Sequence, residues 1–474
     1  MRYISTRGNA PAASFSEVLL AGLAPDGGLY VPETYPQFTW EDVLSMRGWS
    51  YHSIAVRVLE LFVGDDIPFE DLSAIVEKTY SPRLFGSYEI VPIVPIEPSV
   101  ALLKLSEGPT FAFKDLALQL VANLMEYVLE KHGEKITILG ATSGDTGSAA
   151  AYAVLGKKRQ RLFMLSPYGR MSLFQQKQMY TINEKNICNI VADGNFDDCQ
   201  AAVKLVNQDA EFKKRYSIGA MNSINWARIV AQTIYWVYGF VRMVRREEDF
   251  LTAAVPSGNF GNALSAYVAA RMGLNIHVIV CTNENDVLDQ FFKTGEYRIR
   301  EGGEVKKTSS PSMDIASASN LERFVFDYLG RDPKRIVDLW GKLKADGVFK
   351  ISDHDLRNPL MMVSGSASEK EVLKVIKDMF NWYGVIVDPH TAVAVRVGYG
   401  KYVGPGLGPM LIAETAKPIK FVDTIRNATG VEIWGSPGRI REMFNAPEKI
   451  VRVGETDPTK IAEKVKEIIS SANT

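Results

Sequence analysis

One construction recurs in this chain and governs what it can fold into. A short apolar run leads into a turn rich in glycine and small polar residues, and the turn leads into helical spacing. Ile136 to Leu139 precedes Gly140-Ala141-Thr142-Ser143-Gly144-Asp145-Thr146-Gly147, then a helical pattern from Ala149 to Leu155 that Gly156 ends. Ala253 to Pro256 precedes Ser257-Gly258-Asn259-Phe260-Gly261-Asn262-Ala263, then a helix that Gly273 closes. Further apolar runs at Ala101 to Leu105, Leu162 to Leu165, Ile187 to Val191 and Ile276 to Cys281 read as strands. Strands alternating with helices predict an α/β fold of parallel sheets covered by helices.

The flanks differ. Up to about residue 85 the chain predicts a helical cap: Ser14-Phe15-Ser16-Glu17 has the capping-box form, and Ile54, Val58, Leu61 and Phe62 fall at helical spacing. Residues 86–430 form the expected catalytic core, with a smaller subdomain over about 115–245. Residues 431–474 form an extension whose helix buries Ile461, Val465, Ile468 and Ile469 on one face, with Pro458 in its first turn. The polar stretch from Glu301 to Ser319 reads as a long loop, a kind that in compact enzymes is often functional.

Composition excludes several classes. Among 474 residues, 54 are basic and 55 acidic, which argues against a nucleic-acid or membrane-surface partner. Three cysteines and five histidines show no metal spacing, so no metal site is expected. Scattered histidines without a G-x-S-x-G elbow leave a hydrolase triad unsupported. The N-terminus lacks the apolar core of a signal peptide, and no apolar run approaches a membrane span, so a cytoplasmic enzyme acting on a small molecule is expected.

Four strings can carry chemistry. Ser257 to Ala263 opens a helix, where unpaired N–H groups and the dipole favour an anion, and two glycines allow close approach. Gly140 to Gly147 offers hydroxyls and backbone donors for a carboxylate or phosphate, and its Asp145 could accept from a ring hydroxyl. Lys114, between Phe113 and the apolar run from Leu116, is a candidate for the desolvated, nucleophilic amine of a Schiff-base lysine. Asn222-Ser223-Ile224-Asn225-Trp226-Ala227-Arg228 puts amides, a hydroxyl and a guanidinium at a helix start, and arginine suits paired phosphate contacts. Each string alone also fits a plainer role as a turn, a helix cap or a surface charge.

Together and in order, these strings resemble pyridoxal-phosphate (PLP) enzymes of fold type II, the tryptophan-synthase-β fold. The resemblance is closest to the threonine synthase family of bacteria and fungi. It is carried also by Tyr3 to Gly8, Pro25 to Pro32, Ser310 to Asp314 and Glu414-Thr415-Ala416-Lys417-Pro418. The resemblance implies two parallel-sheet domains and a set of roles. Lys114 carries the cofactor. Gly258, Asn259, Phe260, Gly261 and Asn262 hold its phosphate. Asp145 stands near the ring hydroxyl and Thr415 beside the pyridine nitrogen. Thr142, Ser143 and Thr146 surround the substrate carboxylate, and Asn222, Ser223, Asn225 and Arg228 surround the substrate phosphate. Lys417 receives no role.

A hydroxyl such as Thr415 does not hold a proton on the ring nitrogen, so the ring is a weaker electron sink, suited to elimination. The implied reaction takes O-phospho-L-homoserine and water to L-threonine and phosphate, with Lys114 moving protons. Relatives of this branch can be monomeric, and a monomer is expected. Two alternatives stand beside it: a PLP-dependent phospholyase or dehydratase that leaves a 2-oxoacid and can share the same strings, and a non-catalytic PLP-binding protein, against which the intact Lys114, phosphate loop and Arg228 count.

Overall fold

The computed structural model describes residues 1–219, 221–301, 303–351, 362–402, 408–433 and 439–472. The chain divides into two compact units, each discontinuous in sequence. One comprises residues 1–18, 23–107 and 223–433; the other comprises 19–22, 108–222 and 434–474.

The larger unit is built on a six-stranded sheet. Its strands run in the order Met362–Ser366, Ile276–Thr282, Leu251–Pro256, Met410–Glu414, Val100–Lys104 and Ile93–Glu97. The first five are mutually parallel and the last is antiparallel. Central strands buried on both faces should be mostly apolar, and Leu251–Pro256 and Met410–Glu414, buried at every position, carry only Thr252 and Glu414 as polar residues. Because the five strands are parallel, the segments after Pro256, Thr282 and Glu414 all leave the sheet at its carboxyl edge. Open parallel sheets bind ligands at that edge.

The N-terminal flank contains the expected helices. Ser14 Oγ accepts from Glu17 N at 3.3 Å, and Glu17 Oε2 accepts from Ser14 N at 2.8 Å, closing the capping box. The Tyr51–Val63 helix buries Ile54, Val58, Leu59 and Phe62. Its Phe62 ring meets Trp226 with centroids 6.1 Å apart. The flank also contains an antiparallel strand pair, Tyr3–Ser5 with Tyr30–Pro32, that the helical reading omits. Strands of three residues are too short for alternation to show in a sequence.

The smaller unit has a five-stranded, wholly parallel sheet in the order Val451–Val453, Ile187–Ala192, Gln160–Pro167, Ile136–Ala141 and Ile218–Gly219. The C-terminal helix, Pro458–Ala472, buries Ile461, Val465 and Ile469. These pack with Cys199, Ala202 and Val206 of the Phe196–Gln208 helix, leaving Ile468 at the margin. No described helix is long and apolar enough to cross a membrane.

Candidate active site

In the smaller unit, Lys114 opens the Lys114–His132 helix, 9% exposed. The preceding turn is shaped by Asp115, whose carboxylate accepts from Thr110 N and Thr110 Oγ1, both at 2.7 Å. A Cβ on Gly108 would fall 2.5 Å from Asp115 Cβ, so this turn closes only around a glycine. Gln178 Nε2 donates to Thr110 O at 2.9 Å and ties the same turn to the Leu173–Tyr180 helix. Thr110, Asp115 and Gln178 are therefore what aims Lys114. The string Thr110 to Asp115 carries part of the family resemblance, but the sequence assigns Thr110, Asp115 and Gln178 no role, although an Asp directly after the lysine at a helix start is a visible signal.

Lys114 Nζ lies 3.5 Å from Asp145 Oδ2. Asp145 Oδ1 accepts from Gln175 Nε2 at 3.1 Å. Asp145 itself opens the Asp145–Val154 helix, behind Gly144 at φ 144°, a backbone that side chains rarely adopt. Thr142 Oγ1 accepts from Gly144 N at 3.0 Å and Gly147 N at 2.9 Å, so its oxygen shapes the loop from within. Ser143 is exposed and Thr146 half-buried, while Thr142 is buried. The structure thus brings Lys114, Asp145 and the Thr142 to Gly147 loop into one neighbourhood.

In the larger unit, the Gly258 to Asn262 loop joins Leu251–Pro256 to the Gly261–Arg271 helix. Phe260 takes a left-handed φ of 62° and is wholly buried, packing on Phe292 and Phe324. A bulky residue in that region carries of order 1–3 kcal/mol of strain, a cost met typically at ligand clamps. Asn262 Oδ1 accepts from Tyr235 Oη at 2.8 Å and Trp236 Nε1 at 3.2 Å, which fixes the amide. Its Nδ2, like Ser257 Oγ, is buried with no hydrogen-bond partner among the described residues. Unsatisfied buried donors beside a helix start await an acceptor such as a phosphate.

The Ser310 to Asp314 segment lies against this loop. A Cβ on Gly258 would meet Ser312 O at 2.9 Å and Met313 Cα at 3.1 Å. Gly258→Ala should therefore push the two backbones apart, costing roughly 1–3 kcal/mol of stability and loosening the cofactor. The thermal midpoint and the rate of cofactor loss on dialysis check this.

The same segment is held from behind. Ser312 N donates to His390 Nε2 at 3.2 Å, and His390 Nδ1 faces Asp388 Oδ1 at 2.8 Å. Thr391 Oγ1 bonds the other Asp388 oxygen and accepts from Thr415 N at 3.3 Å. Asp388, His390 and Thr391 thus connect Thr415 to the loop over Gly258. The string Asp388-Pro389 is a helix-start signal that could have drawn attention to them. Lys417 sits 3.5 Å from buried Glu414 and also pairs with Glu107, so it balances charge beside Thr415.

The second phosphate candidate belongs to this unit from Ser223 onward. Arg228 is 5% exposed on the Trp226–Met243 helix, which is buried on all sides. Burial pulls its guanidinium down to about 10, so it remains cationic at neutral pH. Its Nη1 has no hydrogen-bond partner among the described residues. Asn225 caps the helix through Ala227 N at 3.0 Å. Asn222 falls in the smaller unit.

Residues 2–80 match the family described as threonine synthase N terminus, residues 96–339 the pyridoxal-phosphate dependent enzymes, and residues 391–469 the threonine synthase C-terminal family. The chain is 49% identical to a threonine synthase of Methylobacillus glycogenes, covering 91% of this chain and 92% of that one.

The chain belongs to the threonine synthase family.

A threonine synthase of Corynebacterium glutamicum is 47% identical over 97% of each chain. The PLP-bound threonine synthase structure from Brucella melitensis superposes with a TM-score of 0.93 at 39% identity, covering 100% of this chain and 99% of that one. The chain is accordingly a fold type II, pyridoxal-phosphate-dependent enzyme of a lyase family. Its residues fit that cofactor: a buried lysine beside a carboxylate, and a glycine loop flanked by buried donors unsatisfied among the described residues.

Proposed function

We propose that this enzyme converts O-phospho-L-homoserine and water to L-threonine and phosphate. One observation carries the choice of substrate. Arg228 is a buried cation whose Nη1 lacks a hydrogen-bond partner among the described residues, on a helix start separate from the loop suited to the cofactor's phosphate. An amino-acid substrate that itself bears a phosphate would give that cation its partner.

In this reading Lys114 carries the cofactor and the Gly258 to Asn262 loop holds its phosphate. When bound, the cofactor draws electrons from the substrate's α carbon, so that α and then β protons become removable. Lys114, freed by the incoming amine, takes the α proton and returns protons later as acid. Asp145, 3.5 Å from the lysine amine, would hold it in place and serve the cofactor's ring hydroxyl, and Thr415 would offer the ring nitrogen a hydroxyl. Thr142, Ser143 and Thr146 line the loop for the carboxylate, with Thr142 setting the loop's shape. Asn222, Ser223, Asn225 and Arg228 take the phosphate, and Arg228 stabilises its charge as the C–O bond breaks.

Product analysis tests the proposal. Incubation with O-phospho-L-homoserine should release threonine and phosphate in equal amounts. A 2-oxoacid with ammonia and phosphate would instead assign the enzyme as a phospholyase.

A further inference from the structure

The N-terminal strings Tyr3 to Gly8 and Pro25 to Pro32 form the small strand pair, and the chemistry above gives them no part. Their contacts lead to the phosphate segments. Thr6 Oγ1 donates to Glu322 Oε1 at 2.5 Å, and Arg7 pairs with Glu322 at 3.1 Å. The next residue, Arg323, is wholly buried. Its Nε donates to Tyr30 O at 2.8 Å, its Nη2 to Ile224 O at 2.6 Å and its Nη1 to Asn320 Oδ1 at 2.5 Å, and its guanidinium stands 5.5 Å from the Trp226 ring centre. Each of its three nitrogens thus donates to a neutral oxygen.

With its oxygen held by Arg323, the Asn320 amide can point only one way. Asn320 Nδ2 donates to Ser223 O at 3.0 Å and to Asn259 O at 3.1 Å, and Asn320 N donates to Asn259 O at 3.2 Å. Ser319 Oγ repeats the bridge, 2.9 Å from Ser223 Oγ and 3.3 Å from Asn259 Oδ1. One amide group and one hydroxyl therefore join the Ser223 to Arg228 segment to the Gly258 to Asn262 loop.

We propose that Asn320, Ser319 and Arg323 are positioning residues that fix the offset between the two phosphate-binding segments, with the N-terminal strand pair as their anchor. The inference rests on the assignment of those segments to substrate and cofactor phosphate. A phosphorylated amino acid must reach the cofactor with its amine and Arg228 with its phosphate at once. The offset of the two segments then acts as a ruler for the substrate's chain length. A rigid tie also spares the ordering cost that each binding event would otherwise meet.

The test uses holoenzymes of wild type, Ser319→Ala, Asn320→Asp, Arg7→Ala and Arg228→Ala. Asn320→Asp keeps the shape but turns a carboxylate oxygen toward two carbonyls. It should raise KM for phosphohomoserine roughly ten- to hundredfold, with a smaller change in kcat, and should speed cofactor loss on dialysis. Ser319→Ala should shift both readouts the same way by a smaller factor. Arg7→Ala, at the half-exposed end of the chain of contacts, should raise KM with a thermal midpoint near wild type. Should Asn320→Asp fail to fold, the other two variants decide. Arg228→Ala separates two kinds of failure. If it abolishes competition by inorganic phosphate while Ser319→Ala and Asn320→Asp leave KM and cofactor retention unchanged, the phosphate assignment stands and the tie is overturned. If Arg228→Ala leaves that competition intact, the assignment itself has failed and the tie with it.

Discussion

Lys114→Ala should abolish turnover, lowering kcat by about ten-thousandfold or more, because it removes both the covalent anchor of the cofactor and the group that moves the protons. The fold should survive. Lys114 stands at the first position of its helix, and the turn before it is closed by Asp115 and Thr110, which the substitution leaves in place. The wild-type protein should be yellow, and borohydride should fix the cofactor to the peptide containing Lys114. The variant should hold cofactor weakly and fix none. Peptide mapping after reduction is the check, and label on another lysine would end the assignment. Lys114→Arg should not rescue, since a guanidinium does not deprotonate to a nucleophile near neutral pH.

Arg228→Ala should keep the yellow cofactor but lose kcat/KM for phosphohomoserine by about 2–4 kcal/mol, roughly 30- to 1000-fold. Burial of Nη1 with no hydrogen-bond partner among the described residues is unfavourable in the free protein, and a bound anion would relieve it. The substitution removes that unfavourable charge while leaving a gap where the side chain packed. These effects oppose each other, so the thermal midpoint of the substrate-free protein should move little even as activity falls. Arg228→Lys should recover part of the loss, because a point charge lacks the paired donors of the fork. Inorganic phosphate should compete with substrate in the wild type and much less in the alanine variant. A variant that instead loses cofactor, with normal phosphate inhibition once PLP is supplied, would reverse the two phosphate assignments.

What could be read in the sequence was what repeats locally. The apolar runs before Gly140 and Ser257 become Ile136–Ala141 and Leu251–Pro256, and the turns after them carry Asp145 and the Gly258 loop. The last helix was legible because Ile461, Val465 and Ile469 share a face over its whole length. Arg228 was visible as a residue but not as a buried one: a helix enclosed on all sides shows no polar face to say where an arginine points. Asn320 and Arg323 lay beyond local reading altogether. Their partners Ser223, Asn259 and Tyr30 are distant in the chain, and nothing in the spacing of Ser319 to Arg323 announces them. The strand pair at Tyr3–Ser5 was hidden by its length, and so was its tie through Glu322.

In the proposed reaction phosphate leaves with its bridging oxygen and water enters at the β carbon. Turnover of O-phospho-L-homoserine in water enriched in oxygen-18 measures both at once. Threonine should carry one heavy oxygen in its hydroxyl and the released phosphate none. Heavy oxygen in the phosphate, with homoserine as the organic product, would mean that water attacks phosphorus and would contradict the proposed reaction.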